Sequence, residues 1–171
     1  MKKMKNQKIN KKRIEIINLS KDLIIKYGWN DLLFQRIKEH KKINVQELEV
    51  LFPNGYKEMI RFFFDNLNQE LKYKFINDNF SRIPVHKRIR KILITKLNII
   101  KKDRIFFKRT FNYLLIPGNY RLLSRLLYNS VNNIWYVAQD NSTDFNFYTK
   151  RAILSVIYTS TIFYLRNFRN L

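Results

Sequence analysis

Only three glycines and three prolines punctuate 171 residues, and that scarcity limits what the chain can fold into. An all-β sandwich or barrel needs turn signals about every 8–12 residues, far more breakers than this chain holds. Long helices joined by a few polar connections fit it. Hydrophobic residues make up 46% and aromatics 15%, enough apolar side chain for one sizeable core. The expectation is a single all-α domain of eight to nine helices, with no sheet.

Apolar Ile14, Ile17, Leu23, Ile24 and Tyr27 recur at helical spacing through residues 9–27, and Gly28 supplies the stop. Asn30 or Asp31 can cap a short helix over 32–40, and Lys41 with Lys42 forms a turn. Asn44 can cap a second short helix over 45–52, which Pro53-Asn54-Gly55 ends. A long helix begins near Tyr56, and its aromatics on several faces predict burial. Pro84 opens a helix to about residue 101, with Ile89, Ile92, Leu93, Leu97 and Ile100 along one stripe. Further helices are expected over 104–116, over 120–139, and from the capping cluster Ser142-Thr143-Asp144 to about 168. The last is apolar on most sides, as a central helix or a pocket wall would be. One long helix, two short ones and another long one is the layout of a TetR-type helix-turn-helix region. Residues 1–55 are therefore expected to form a degenerate helix-turn-helix part, and residues 56–171 a helical ligand-binding region of the same TetR-like domain.

The net charge is +21. Richness in Lys, Asn and Ile, which AT-rich codons encode, accounts for part of it. The functional alternatives are an anionic membrane, nucleic acid or an acidic protein. The cations form two sets. One is an N-terminal run of Lys2, Lys3, Lys5, Lys8, Lys11, Lys12 and Arg13, expected as a solvated, frayed tail. The other extends from Arg82 to Arg109, opposed only by Asp103. Over residues 30–60, by contrast, Arg36, Lys38, Lys41, Lys42 and Lys57 are matched by Asp31, Glu39, Glu47, Glu49 and Glu58. A DNA-reading head gains most of its affinity from neutralised phosphates. Here the would-be recognition helix carries Glu47 and Glu49 and no cation, so these helices are expected to pack rather than read DNA. A TetR-type DNA-binding regulator remains the rival reading, tested by the salt dependence of duplex binding.

No motif supports catalysis. His40 and His86 lie in separate segments, and neither follows a Glu at the three-residue spacing of di-iron bundles. No Gly-rich phosphate loop and no nucleophile–His–acid spacing occurs. Asp140 and Asp144, four apart, are a formal acid/base pair but flank a helix boundary, where capping accounts for them. No catalytic residue, metal ligand or cofactor is expected. The absence of cysteine excludes disulfides and permits a reducing compartment. The first residues lack an apolar signal core. The uncharged stretch 152–165 spans ~21 Å as a helix, short of the ~30 Å hydrocarbon core, so no transmembrane helix is expected.

The most specific stretch is W-Y-V-A-Q-D-N-S-T-D-F-N-F-Y-T-K-R, residues 135–151, continuing A-I-L-S-V-I-Y-T-S-T. It closely resembles the signature of a ubiquinone (coenzyme Q) biosynthesis accessory family, that of the ninth Coq protein. Leu51-Phe52-Pro53-Asn54-Gly55, the run Met59-Ile60-Arg61-Phe62-Phe63-Phe64, and Gly28-Trp29 also resemble their counterparts there. The resemblance implies a TetR-like lipid-binding accessory protein that reads no operator. Such a protein holds an isoprenoid quinone intermediate and assists the di-iron hydroxylase acting late in ubiquinone synthesis. It implies a partner-docking patch of Ile134, Asp144, Phe147 and Tyr148, with Phe147 standing where the family has Trp; core packing is the other account of Phe147 and Tyr148. Trp135 reads as a core anchor. Apolar content nominates Phe111, Leu114, Leu122, Leu126, Tyr158 and Phe163 as lipid-binding.

Family members continue, past the position matching Leu171, into an amphipathic helix that lies on the membrane. In its place the basic segment 82–109, through Arg88, Lys91 and Lys96, is expected to meet anionic lipid. The implied location is peripheral to the energy-coupling inner membrane: cytoplasmic in a bacterium, in the matrix of a mitochondrion. A homodimer is compatible with this reading, and a scaffold that binds the hydroxylase but no lipid is its second rival.

Overall fold

The computed structural model describes residues 2–80, 82–140 and 146–167. Among these are eight α-helices, one short 3-10 turn and no strand. The helices are α1 (Lys2–Tyr27), α2 (Leu33–Lys41), α3 (Val45–Leu51), α4 (Tyr56–Lys74), α5 (Val85–Lys102), α6 (Arg104–Leu114), α7 (Tyr120–Val137) and α8 (Asn146–Asn167). The chain is thus all-α, with an order consistent with a TetR-like arrangement.

Local chemistry explains the boundaries. Gly28 takes a φ of +78° and its N–H closes back on the Ile24 carbonyl at 2.9 Å, a left-handed helix stop that suits glycine. Asn44 accepts from the Gln46 N–H at 3.2 Å, capping α3 as its sequence predicts. Asn30 does not cap α2 in the ordinary sense. Its side chain donates to the Tyr27 carbonyl and accepts from the Leu32 N–H, bridging the end of α1 to the next turn. The N-terminal basic run departs from expectation, because it is helical from Lys2 rather than frayed. Lys and Gln are good helix formers and no Gly or Pro interrupts them. Lys12 and Arg13 are also tied to Glu47 and Glu58.

The chain forms two compact units. The first comprises Met1–Asn66 and Asp103–Asn119, the second Leu67–Lys102 and Tyr120–Leu171, so α4 contributes to both. In the first unit α1 packs on α2 and α6, and α2 on α3. Its core joins Ile17, Ile24, Leu33, Leu48, Phe52 and Met59 to Phe106, all buried. Trp29 fixes α6 there: its indole N–H donates to Thr110 at 3.0 Å, and its ring meets Phe106 edge-on at 5.9 Å.

In the second unit α7 packs on α5 and on α8, around buried Leu71, Phe80, Ile92, Leu126, Val131 and Leu154. The last helix differs from expectation. Leu154, Tyr158 and Ile162 face inward, while Ile153, Val156, Ile157 and Tyr164 are exposed. It is a surface helix whose outer face happens to be uncharged, which is why its sequence reads as central. No helix among the described residues is long and apolar enough to cross a membrane.

Candidate docking face and cleft

The second unit concentrates its unusual features where α7 ends and α8 begins. At the end of α7 the chain turns through Gln139 in the left-handed region, φ +58°. The Ala138 carbonyl left over at the helix terminus accepts from the Arg88 guanidinium at 3.1 Å. A cation there satisfies an orphan acceptor and the helix dipole together. Arg88, expected at a membrane, is instead half-buried and serves as this cap.

Beyond the turn, Lys150 donates to Asp140 at 3.3 Å. Asp140 thus has a partner suited to holding the loop, while Asp144, with its expected docking role, lies outside the described residues. Arg151 organises the first turns of α8. Two of its nitrogens donate to the Asn132 carbonyl oxygen of α7, each at 3.1 Å, and a third reaches the Phe147 carbonyl at 3.2 Å. Its guanidinium also lies 3.3 Å from the Phe147 ring centroid, a cation–π stack. Phe147 is held half-buried, and Tyr148, edge-on to it at 5.1 Å, stands 76% exposed.

Ile134 corrects the expected docking patch. It is 0% exposed, an interior side chain one turn before the end of α7, and no partner can touch it. Trp135 is buried as an anchor should be, with the Lys150 ammonium 5.8 Å from its ring centroid.

An open cleft of about 530 Å³ adjoins this region, between the end of α4 and the end of α7. Lys72, Tyr73 and Ile76 line one side, Tyr136, Val137 and Gln139 the other. The Lys72 ammonium sits 4.7 Å from the Tyr136 ring centroid. The cleft offers aromatic faces with one cation, Lys72, one carboxylate, Asp140, and the amides of Gln69 and Gln139, a mixture able to hold a flat ring with polar substituents. Its volume falls within the ~300–1,000 Å³ range of small-molecule sites. Sequence reasoning missed these residues. No local signal could reveal them, since the cleft exists only where two helix ends distant in sequence meet.

The six nominated lipid residues divide between the two units. Phe111 and Leu114 are buried in the first unit, where Phe111 stacks on Phe107 at 6.1 Å. Leu122, Leu126 and Tyr158 are buried in the second unit and Phe163 is half-buried there. None of them lines the cleft. Apolar content detects burial, and burial is shared by core and cavity alike.

Lys96 departs furthest from its expected surface place, being 0% exposed. Its ammonium donates to the Asn68 carbonyl oxygen at 2.7 Å and lies 5.3 Å from the Tyr158 ring centroid. Burial pushes its pKa down to about 7, because a low-dielectric interior disfavours the charged form. Burial likewise pushes the Tyr158 phenol up, its hydroxyl bonding with Ser130. Lys91 does lie on the surface, paired with Asp78 at 2.6 Å. No cluster of three or more potential metal ligands occurs among the described residues.

Comparison with known proteins bears on the same segment. A family model described as COQ9 matches residues 121–169. Ubiquinone biosynthesis protein COQ9, mitochondrial, of Bos taurus is 37% identical over 75 residues, 44% of this chain and 24% of that protein. The Schizosaccharomyces pombe protein of the same name is 29% identical over 114 residues, 66% of this chain and 45% of that protein. The Dictyostelium discoideum protein, named as probable ubiquinone biosynthesis protein coq9, is 24% identical over 154 residues, 86% of this chain and 50% of that protein. The aligned region thus spans between 24% and 50% of the length of these curated relatives. The matched residues 121–169 include nearly all of α7 and all of α8, where Arg151, Asn132 and Phe147 interlock, and over this segment the chain is similar to COQ9.

Proposed function

We propose that this protein is a non-catalytic accessory factor of ubiquinone biosynthesis that binds a polyprenyl quinone intermediate and presents it to a membrane-associated di-iron hydroxylase. One observation carries the reading. The segment that carries the likeness presents an exposed aromatic side chain, Tyr148, on the first turn of α8, and the cleft lined by Lys72, Tyr73 and Tyr136 opens at the end of α7, the helix before it. A polyprenyl quinone precursor is almost insoluble in water, so an enzyme at a membrane surface gains from a partner that holds the ring where it can be reached. The likeness to proteins named for ubiquinone biosynthesis supports the pathway, and the names of those relatives support a mitochondrial setting in a eukaryote.

Solvent extraction of the purified protein followed by mass spectrometry tests the cargo. A quinone or isoprenoid lipid in stoichiometric amount is the expected result. A lipid-free protein that still captures the hydroxylase would refute presentation and leave docking alone. That second reading has an observation in its favour: Leu122, Leu126 and Tyr158 are packed in the core rather than set around an opening.

Docking itself is tested at the aromatic face. Tyr148→Asp is expected to weaken hydroxylase binding by about tenfold or more, the loss typical of an interface anchor. Its circular dichroism and thermal midpoint should stay close to those of the unaltered protein, because the side chain is exposed. Undiminished capture by the Tyr148→Asp variant would remove this face from the interface.

A further inference from the structure

The outer face of α5 is cationic at both of its ends. Lys87, Arg90, Lys91, Lys101 and Lys102 are all exposed, and the helix contains no carboxylate. Only Lys91 is paired, with Asp78; the other four meet no carboxylate among the described residues. Positions 87, 90, 94, 98 and 101 recur at intervals of three and four and so share one line on the helix. From Lys87 to Lys101 that line is ~21 Å long. Ile94 sits at its middle, 47% exposed, with Arg90 and Lys91 one turn before it, Asn98 one turn after it and Lys101 two turns after it.

We propose that this face docks the protein on an anionic lipid bilayer, with Lys87, Arg90, Lys101 and Lys102 against the headgroup phosphates and Ile94 entering the interfacial zone between them. Charge complementarity selects the class of partner, since a carboxylate-free stripe gains wherever fixed negative charge is spread over a surface. A bilayer suits it better than nucleic acid. A central isoleucine gains nothing among phosphates but is favourable at the boundary of headgroups and acyl chains. The stripe also lacks the aromatic side chains on which bases stack. The apolar stripe of α5 is committed to the core through Ile92, Ile99 and Ile100, so the helix rests on the surface rather than embedding in it. Attachment of this kind is reversible and weakens with salt. The inference rests on the proposed role only for its purpose, because a polyprenyl quinone is dissolved in a membrane.

Co-sedimentation of the full chain with phosphatidylcholine vesicles containing about 30 mol% phosphatidylserine tests it, with pure phosphatidylcholine as the uncharged control. Each cation removed should lower partitioning about fivefold, equivalent to the ~1 kcal/mol that a Lys or Arg gains near an anionic surface. The combined variant Lys87→Gln, Arg90→Gln, Lys101→Gln and Lys102→Gln should therefore lose more than about a hundredfold. A variant with four matched changes in α1 (Lys3→Gln, Lys5→Gln, Lys8→Gln and Lys11→Gln) should lose far less. Equal losses from the two variants would overturn the assignment, because they would report net charge rather than a face. Ile94→Ser should lower vesicle binding several-fold and leave binding to duplex RNA unchanged. Preference for the duplex over vesicles at equal salt, with Ile94→Ser neutral in both, would overturn it in favour of nucleic acid. Absence of cargo from the unaltered protein would refute the proposed role while leaving the vesicle result standing.

Discussion

Ile134→Ala is expected to lower the unfolding free energy by about 2–4 kcal/mol, the range for truncating a fully buried aliphatic side chain without collapse of the site. Ile134 is completely enclosed in α7, between Ser130 one turn before it and Ala138 one turn after, both buried. The lost methyl groups leave a void that rigid helices cannot refill. Urea denaturation followed by circular dichroism measures the loss as a fall in midpoint at constant slope. Hydroxylase binding per folded molecule should hardly change. This separates Ile134 from Tyr148, for which the pattern is reversed: binding lost, stability kept. An Ile134→Ala variant of normal stability that failed to dock would return the residue to the interface and contradict its place in the core.

The second large effect concerns the buried lysine. Lys96 is held near pKa 7 in the folded protein against an ordinary value of 10.5. Between those values the unfolded chain carries a proton that the folded chain does not. Stability therefore rises as pH increases through this window, by up to about 1.4 kcal/mol per pH unit. Below pH 7 both states are protonated and the dependence flattens. From about pH 7.5 to about pH 9 a gain of about 2 kcal/mol is expected.

Lys96→Met keeps the length of the side chain but removes the titrating group, so its stability should be nearly flat over the same range. It leaves the Asn68 carbonyl without its donor, which costs ~1–3 kcal/mol. Near pH 7 that loss is offset by no longer burying an amine whose proton is so easily lost. The variant therefore compares best with the parent at neutral pH and worst above pH 9. Chemical denaturation at three pH values would show it. An unchanged slope in the Lys96→Met variant would mean that another group is responsible.

Most of the helical order was legible in the sequence because its signals are local. Asn44, Pro53, Gly28 and Pro117 each act on their immediate neighbours, and the observed helices begin or end within a few residues of them. The likeness over residues 121–169 was legible through a long and specific run of residues. Lys96 was misjudged for a physical reason. A lysine is almost always a surface residue, and only the approach of Asn68 on α4 and Tyr158 on α8 gives it an interior partner and a ring. Arg88 was misjudged in the same way, since its acceptor is a carbonyl fifty residues on in the chain. The cleft was invisible because the ends of α4 and α7 say nothing about each other until both are folded. The position of α6 was equally hidden, for Trp29 and Thr110 are 81 residues apart.

That last arrangement sets an order on biosynthesis. The first unit closes only when Phe106 and Thr110 reach Trp29, yet the intervening stretch 67–102 belongs to the other unit. A ribosome that has released α1 through the first part of α4 must extrude roughly fifty further residues before the missing wall arrives, a wait of roughly three to ten seconds at ordinary elongation rates. During that interval the indole of Trp29 and the side of α1 that packs on α6 lack their cover. Newly made chains should accordingly depend on chaperone shelter, and a fragment stopped at residue 66 should aggregate rather than form an autonomous module.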